Sequence, residues 1–232
     1  TSVVGWLSRI LTIALAIVNM RLIIGLVGLD GMGMNVYINN FLPWLMVIHL
    51  GLPWTLQNKI SEFNTRSENV GGVISFINSL VKILFTLALF LSFFLSLGFS
   101  KSSILYSMHF GSLWICILAM MCGVLTEFYS RALFALHRGY ISNSLPAIVS
   151  VLTCLMLIYF NIRGIHDINI VLFAFFLPNI IALIFSSYVT NSIVVTAKPV
   201  ELTNDILRKS MGFLLFSLLS NCVLNIDYFV IG

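Results

Sequence analysis

Residues 71–98 read GGVISFINSLVKILFTLALFLSFFLSLG. From position 83 onward this run is apolar right round a helix, and at ~1.5 Å per residue it nearly crosses a ~30 Å hydrocarbon core unaided. The half before it is different. Ser75, Asn78, Ser79, Lys82 and Thr86 stand at i, i+3, i+4, i+7 and i+11, so they share one helical face about 100° wide. A soluble amphipathic helix would keep a polar outer face along its whole length, and this one does not.

The rest of the chain has the same character. Of 232 residues, 59% are apolar and 9% charged, too apolar and too sparsely charged for a soluble globular domain. Strict alternation of the kind a β-barrel needs is absent. The composition therefore predicts an all-α, polytopic membrane helical bundle. Candidate spans fall at about 4–28, 35–56, 71–98, 104–130, 143–162, 168–190 and 211–232. Lysine and arginine gather in alternate connections. Lys59 and Arg66, then Arg131 and Arg138, then Lys198, Arg208 and Lys209 follow the even-numbered spans, against Lys101 and Arg163 after the odd ones. That bias places the N-terminus in the cytoplasm. The expected outer connections are short, the first built from Gly28, Asp30, Gly31 and Gly33, and they leave no room for an outer catalytic domain.

A polar connection with Pro199, Glu201 and Asp205 suggests a lobe boundary. We expect a first lobe of six helices over 1–190, a cytoplasmic linker over 191–210, and the first helix of a second lobe over 211–232. A chain starting at Thr1 and stopping at Gly232 in an apolar run is expected to be a fragment. No basic run points to nucleic acid. The four cysteines, Cys116, Cys122, Cys154 and Cys222, match no metal or redox spacing and read as small buried apolar residues. Phosphate-loop, serine-elbow and zinc-protease signatures are missing, so neither a cofactor nor catalysis is expected.

Charged groups within spans carry the functional expectation. Lys82 has two readings: a cation facing a wet cavity with Asn78 and Ser79 beside it, or an anchor snorkelling to the inner interface. On span one Arg9, Thr12, Ala16 and Asn19 form a narrow stripe at helical spacing, while Arg21, in the outer half of the span, lies about 120° round the helix from Arg9. It could grip a diphosphate through its planar fork of donors or reach the outer headgroups. Asp227, among Ser217, Ser220, Asn221 and Asn225 in span seven, stands at a depth like that of Arg21, so the two could pair. Glu127 and Arg131, at i and i+4, are ordered for a structural ion pair. His49, before Gly51 and Pro53, reads as a partner for a carbonyl freed by the proline, or as a proton-linked group.

Three stretches bear a resemblance. Val27-Gly28-Leu29-Asp30-Gly31-Met32-Gly33 is similar to the first turn of the O-antigen flippases, the Wzx-type transporters of the multidrug/oligosaccharidyl-lipid/polysaccharide exporter superfamily, with Met32 in place of an aromatic. His49-Leu50-Gly51-Leu52-Pro53, continuing to Lys59-Ile60-Ser61-Glu62-Phe63, resembles their second motif, with His49 where an acid is common. Ala135-Leu136-His137-Arg138-Gly139-Tyr140-Ile141-Ser142-Asn143 resembles the segment between their fourth and fifth spans.

The resemblance implies two six-helix lobes around a central cavity and transport by alternating access in the bacterial inner membrane. It implies as cargo an undecaprenyl-diphosphate-linked oligosaccharide, with membrane lipid and other polysaccharide-assembly membrane proteins as partners. Lys82 and Arg21 would then be the cations meeting phosphate, because a dianion leaving water needs charge and donors in exchange. Rival readings are a multidrug and toxin extrusion antiporter, which would prefer cavity acids, and a membrane polysaccharide polymerase, which usually needs a large outer loop.

Overall fold

The computed structural model describes residues 2–39, 51–66, 70–99, 109–194, 208–215 and 219. The helices with full bounds are α1 (Ser2–Asn39), α2 (Leu52–Thr65), α3 (Val70–Phe99), α4 (Phe110–Ala135), α5 (Gly139–Arg163), α6 (Ile168–Phe176) and α7 (Pro178–Ile193). No strand occurs among the described residues, and the fold is the expected all-α bundle. Five stretches, Val3–Asn39, Val70–Gly98, Phe110–Ala135, Gly139–Arg163 and Ile168–Ile193, are long and apolar enough to cross a membrane. Half of span two and most of span seven lie outside the described residues.

The central member is α4, which is apolar over most of its length and packs against α2, α3, α5, α6 and α7. Its residues join two cores. Leu125, Phe128 and Ala132 meet Leu56, Ile60, Ile74 and Ile77, while Leu113, Met120 and Val124 meet Ile38, Leu172 and Phe176. On the periphery, α3 turns Ile83, Leu87, Phe90 and Phe94 outward, and α1 does the same with Trp6, Ile10, Ile13 and Ile17. Lipid is the solvent that makes such faces stable.

The expected outer turn at 28–33 is instead helical. Only Gly28 leaves helical geometry, at φ 71° and ψ −173°, a region open to glycine. A Cβ on Gly31 would lie 2.6 Å from Val27 Cβ, so the kink leaves room for glycine and no larger residue at 31. Near the break the Leu26 carbonyl accepts a hydrogen bond from His166 Nδ1 at 3.0 Å, a role for His166 that its position in the sequence does not show.

Other boundaries move too. Beyond Gly51, which is left-handed at φ 69°, α2 runs to Thr65, well past the expected span end at 56. The fourth helix starts and stops about five residues later than the expected 104–130. Span six is interrupted at Leu177, before Pro178, which lacks the N–H a continuous helix would use. Pro43 and His49 lie outside the described residues.

The Ala135–Asn143 motif forms the turn between α4 and α5. His137 is left-handed at φ 60°; its N–H bonds Phe134 O at 3.1 Å and the Arg138 N–H bonds Leu133 O at 2.8 Å, closing α4 with a Schellman pattern. A Cβ on Gly139 would come 2.8 Å from the Phe134 ring. Asn143 then receives α1: Ser8 Oγ donates to its carbonyl, and Gly5 lies beside its side chain. At the opposite end, Asp167 caps α6 by accepting from the Asn169 N–H at 2.8 Å, while Asn169 Oδ1 accepts from the His109 N–H that precedes α4.

Candidate functional site: a polar cleft between α1, α4, α5 and the broken sixth span

A cleft of about 540 Å³ opens between these helices. Its walls are mainly apolar, including Ile23, Met120, Val124, Phe175 and Phe176, and seven polar side chains converge on it: Asn19, Asn35, Asn39, Glu127, Ser150, Thr153 and Asn179. Its size lies within the ~300–1,000 Å³ typical of small-molecule sites, and the mixture of apolar wall and few polar groups is also typical of them.

Each polar group is held by a local feature. On α1, Asn19 is only 5% exposed; its Nδ2 reaches Ser150 O at 3.4 Å, while its Oδ1 is buried with no partner. Asn35 and Asn39, beyond the kink, form an i,i+4 pair in which Asn39 Nδ2 donates to Asn35 O at 2.9 Å and to Asn35 Oδ1 at 3.1 Å. Just after Pro178, Asn179 lies against Gly123 of α4, where a Cβ would sit 3.4 Å from the Asn179 amide carbon. Thr153 Oγ1 donates to Phe175 O at the break, at 3.4 Å, as a hydroxyl beside an interrupted membrane helix can.

Glu127 and Arg131 form the expected pair, with Nε and Nη2 donating to Oε1 at 3.1 and 2.9 Å. The guanidinium lies 3.3 Å from the centroid of the Trp54 ring, and that indole stacks on Phe213 with centroids 6.3 Å apart. The carboxylate in the cleft is thus matched by a cation fixed between it and an aromatic face.

Of the residues singled out from the sequence, Asn19 lies in this cleft. Arg21 is exposed on α1 and does not line it. Lys82 and Ser79 are exposed on α3, away from the cleft. Asn78 faces inward elsewhere, donating to Asn191 Oδ1 at 2.7 Å and accepting from Tyr129 Oη at 3.0 Å. Ser79 and Thr86 bond back to Ser75 O and Lys82 O, at 3.1 and 3.0 Å. Hydroxyls satisfied in this way tolerate an apolar environment, so their exposure does not by itself call for water. Asp227 and its pairing with Arg21 lie outside the described residues. The sequence reading missed Asn35, Asn39, Ser150, Thr153 and Asn179 as a group; the i,i+4 asparagines in an apolar run and the asparagine after Pro178 were the signals on offer.

No family model matches the chain, and no solved structure matches it. Three curated proteins do. A Salmonella typhimurium protein named as an O-antigen transporter is 30% identical over 98% of this chain and 55% of its own length. This chain is similar to proteins named as O-antigen transporters. A Salmonella typhi protein named as an O-antigen transporter is 28% identical, and a Yersinia pseudotuberculosis protein named as an O-antigen export protein is 24% identical, each over 98% of this chain and 55% of its own. The chain therefore spans about half the length of the O-antigen transporters it matches. With five helices long and apolar enough to cross a membrane, it is a multi-pass membrane protein.

Proposed function

We propose that this chain is the first lobe and the start of the second lobe of a flippase. Its cargo is an undecaprenyl-diphosphate-linked oligosaccharide, moved across the bacterial inner membrane by alternating access of two lobes. Residues 1–190 form the first lobe, 191–210 the inter-lobe linker and 211–232 the first helix of the second lobe, with the N-terminus in the cytoplasm. Similarity to O-antigen transporters along nearly the whole chain carries the proposal, and a polar cleft inside a lipid-facing bundle is the structural support for it.

Translocation in this scheme makes and breaks no bond. The sugar and diphosphate travel through a wet path while the polyprenyl tail stays in lipid. Arg21 and Lys82, both exposed on the bundle, are available to a facing lobe or to lipid headgroups, and in this proposal they meet the diphosphate. Coulomb attraction and direct donors there replace the hydration the dianion loses.

The test uses the full-length gene in a host lacking its own flippase. Lys82→Ala and Arg21→Ala should each lower surface polysaccharide at normal membrane abundance, and Lys82→Arg should retain more activity than Lys82→Ala. Full activity in both alanine variants would sink the phosphate role. Orientation is checked with a single cysteine at Arg138 in a cysteine-free background, where labelling from outside intact cells would reverse the topology.

A further inference from the structure

The cleft is neutral, which limits what it can hold. Its carboxylate, Glu127, is engaged by Arg131 at 2.9 Å, and the guanidinium is in turn packed on Trp54. An anionic diphosphate entering here would meet no uncommitted cation among the lining residues, and a metal ion would meet an acid already neutralised. What the lining does supply is carboxamides from two helices, Asn19, Asn35 and Asn39 on α1 and Asn179 on α7, with the Ser150 and Thr153 hydroxyls on α5. A carboxamide both donates and accepts, as a sugar hydroxyl does, and the flanking Phe175 ring offers an apolar face to the C–H side of a pyranose.

The second observation is Asn19 itself. It is 95% removed from solvent, it lines the cleft, and its Oδ1 has no hydrogen-bond partner. Buried polar atoms are nearly always satisfied, so an orphan acceptor at the edge of a cavity is a place where a donor arrives. The exposed Ala16, Met20 and Val36 edge the same cleft, so a solute can enter past α1.

We infer that this cleft binds an uncharged sugar unit of the cargo, with Asn19 and Asn179 as sugar-contacting residues, separate from the cations proposed to meet the diphosphate. The assignment rests on the transport reading and adds to it where the sugar is read.

Full-length transporter in detergent is heated with a thiol-reactive fluorogenic maleimide, which reports unfolding through buried cysteines such as Cys116, Cys122 and Cys154. The probe is the free repeat-unit oligosaccharide released from the host's own polysaccharide; inorganic pyrophosphate and sodium chloride are tested in parallel. The oligosaccharide should raise the unfolding midpoint, as any ligand of the native state does. Asn19→Leu and Asn179→Leu should each weaken that response at least tenfold. Asn19→Leu should change the unliganded midpoint little, since its orphan oxygen has no partner to lose and its Nδ2 gives up only the long 3.4 Å bond to Ser150 O.

A missing oligosaccharide response, or one unchanged in both variants, overturns the assignment. So does a pyrophosphate or sodium response lost in the same variants, which would make the cleft a headgroup or ion site. Complementation separates the two layers. Deletion of the gene with no loss of surface polysaccharide removes the transport reading. Full complementation by both leucine variants at normal abundance removes only the sugar cleft.

Discussion

Arg131→Ala is the substitution with the largest consequence we can work from the structure. The side chain of Arg131 is 23% exposed and that of Glu127 is 21% exposed, so both charges are largely out of water. Removing the guanidinium deletes a charge-assisted bond of ~1.5–3 kcal/mol and a desolvated cation–π stack of up to ~2 kcal/mol. It also leaves the carboxylate without its cation in the cleft, and breaking such a pair from one side costs ~3–5 kcal/mol in total. Glu127→Gln should cost less, ~1–2 kcal/mol, because an oxygen acceptor remains and the guanidinium keeps its place on Trp54. Replacing both, with Glu127→Gln and Arg131→Met, should recover most of the loss, since no unpaired charge is left. Thermal unfolding followed by the accessibility of the buried cysteines measures these proteins, and adding Arg131→Met alone closes a double-mutant cycle. A loss below ~1 kcal/mol in Arg131→Ala, the behaviour of an exposed pair, would refute the reasoning, as would a double variant no more stable than Arg131→Ala.

Gly51→Ala should destabilise the protein by ~2–4 kcal/mol, because a left-handed residue gains a Cβ that would sit 2.7 Å from the Leu214 nitrogen and overpack the contact. Gly164→Ala, at φ 64° but with nothing within 4 Å, should cost only ~1–2 kcal/mol, and equal unfolding midpoints for the two would remove the packing term. Gly31→Ala should lose ~1–3 kcal/mol through its collision with Val27, whereas Gly33→Ala, with open space around it, should be near neutral; the same midpoint assay compares them. Asn78→Leu should cost ~0.6–1.7 kcal/mol, the range of interhelical polar contacts in membranes, and a Tyr129→Phe background should shrink that loss, since Tyr129 Oη donates to the Asn78 amide oxygen.

Much of this protein is legible without coordinates. Apolar runs such as 83–99 can be stable only in lipid, and with no water in the bilayer core the backbone must satisfy itself as helix; that argument needs nothing beyond composition. The Glu127–Arg131 pair is equally local, one turn apart on one helix. The fold through Gly28 and Gly31 was legible as glycine but not as geometry, because an outer loop and a one-residue kink demand the same residue.

What only the tertiary structure decided is which way each face points. In a soluble helix the polar stripe marks the outside, but here lipid and protein core are equally apolar, so the outward Phe90 and the buried Ala88 belong to one uninterrupted run. For the same reason the polar face of Lys82 reads either as a cavity wall or as an interface anchor, and Ser79 and Thr86, satisfied by their own helix, do not choose between the two. The cleft gathers Asn19, Asn35, Glu127, Thr153 and Asn179 from four helices, residues far apart along the chain. No local window holds more than a few of them, so their convergence is a property of packing alone.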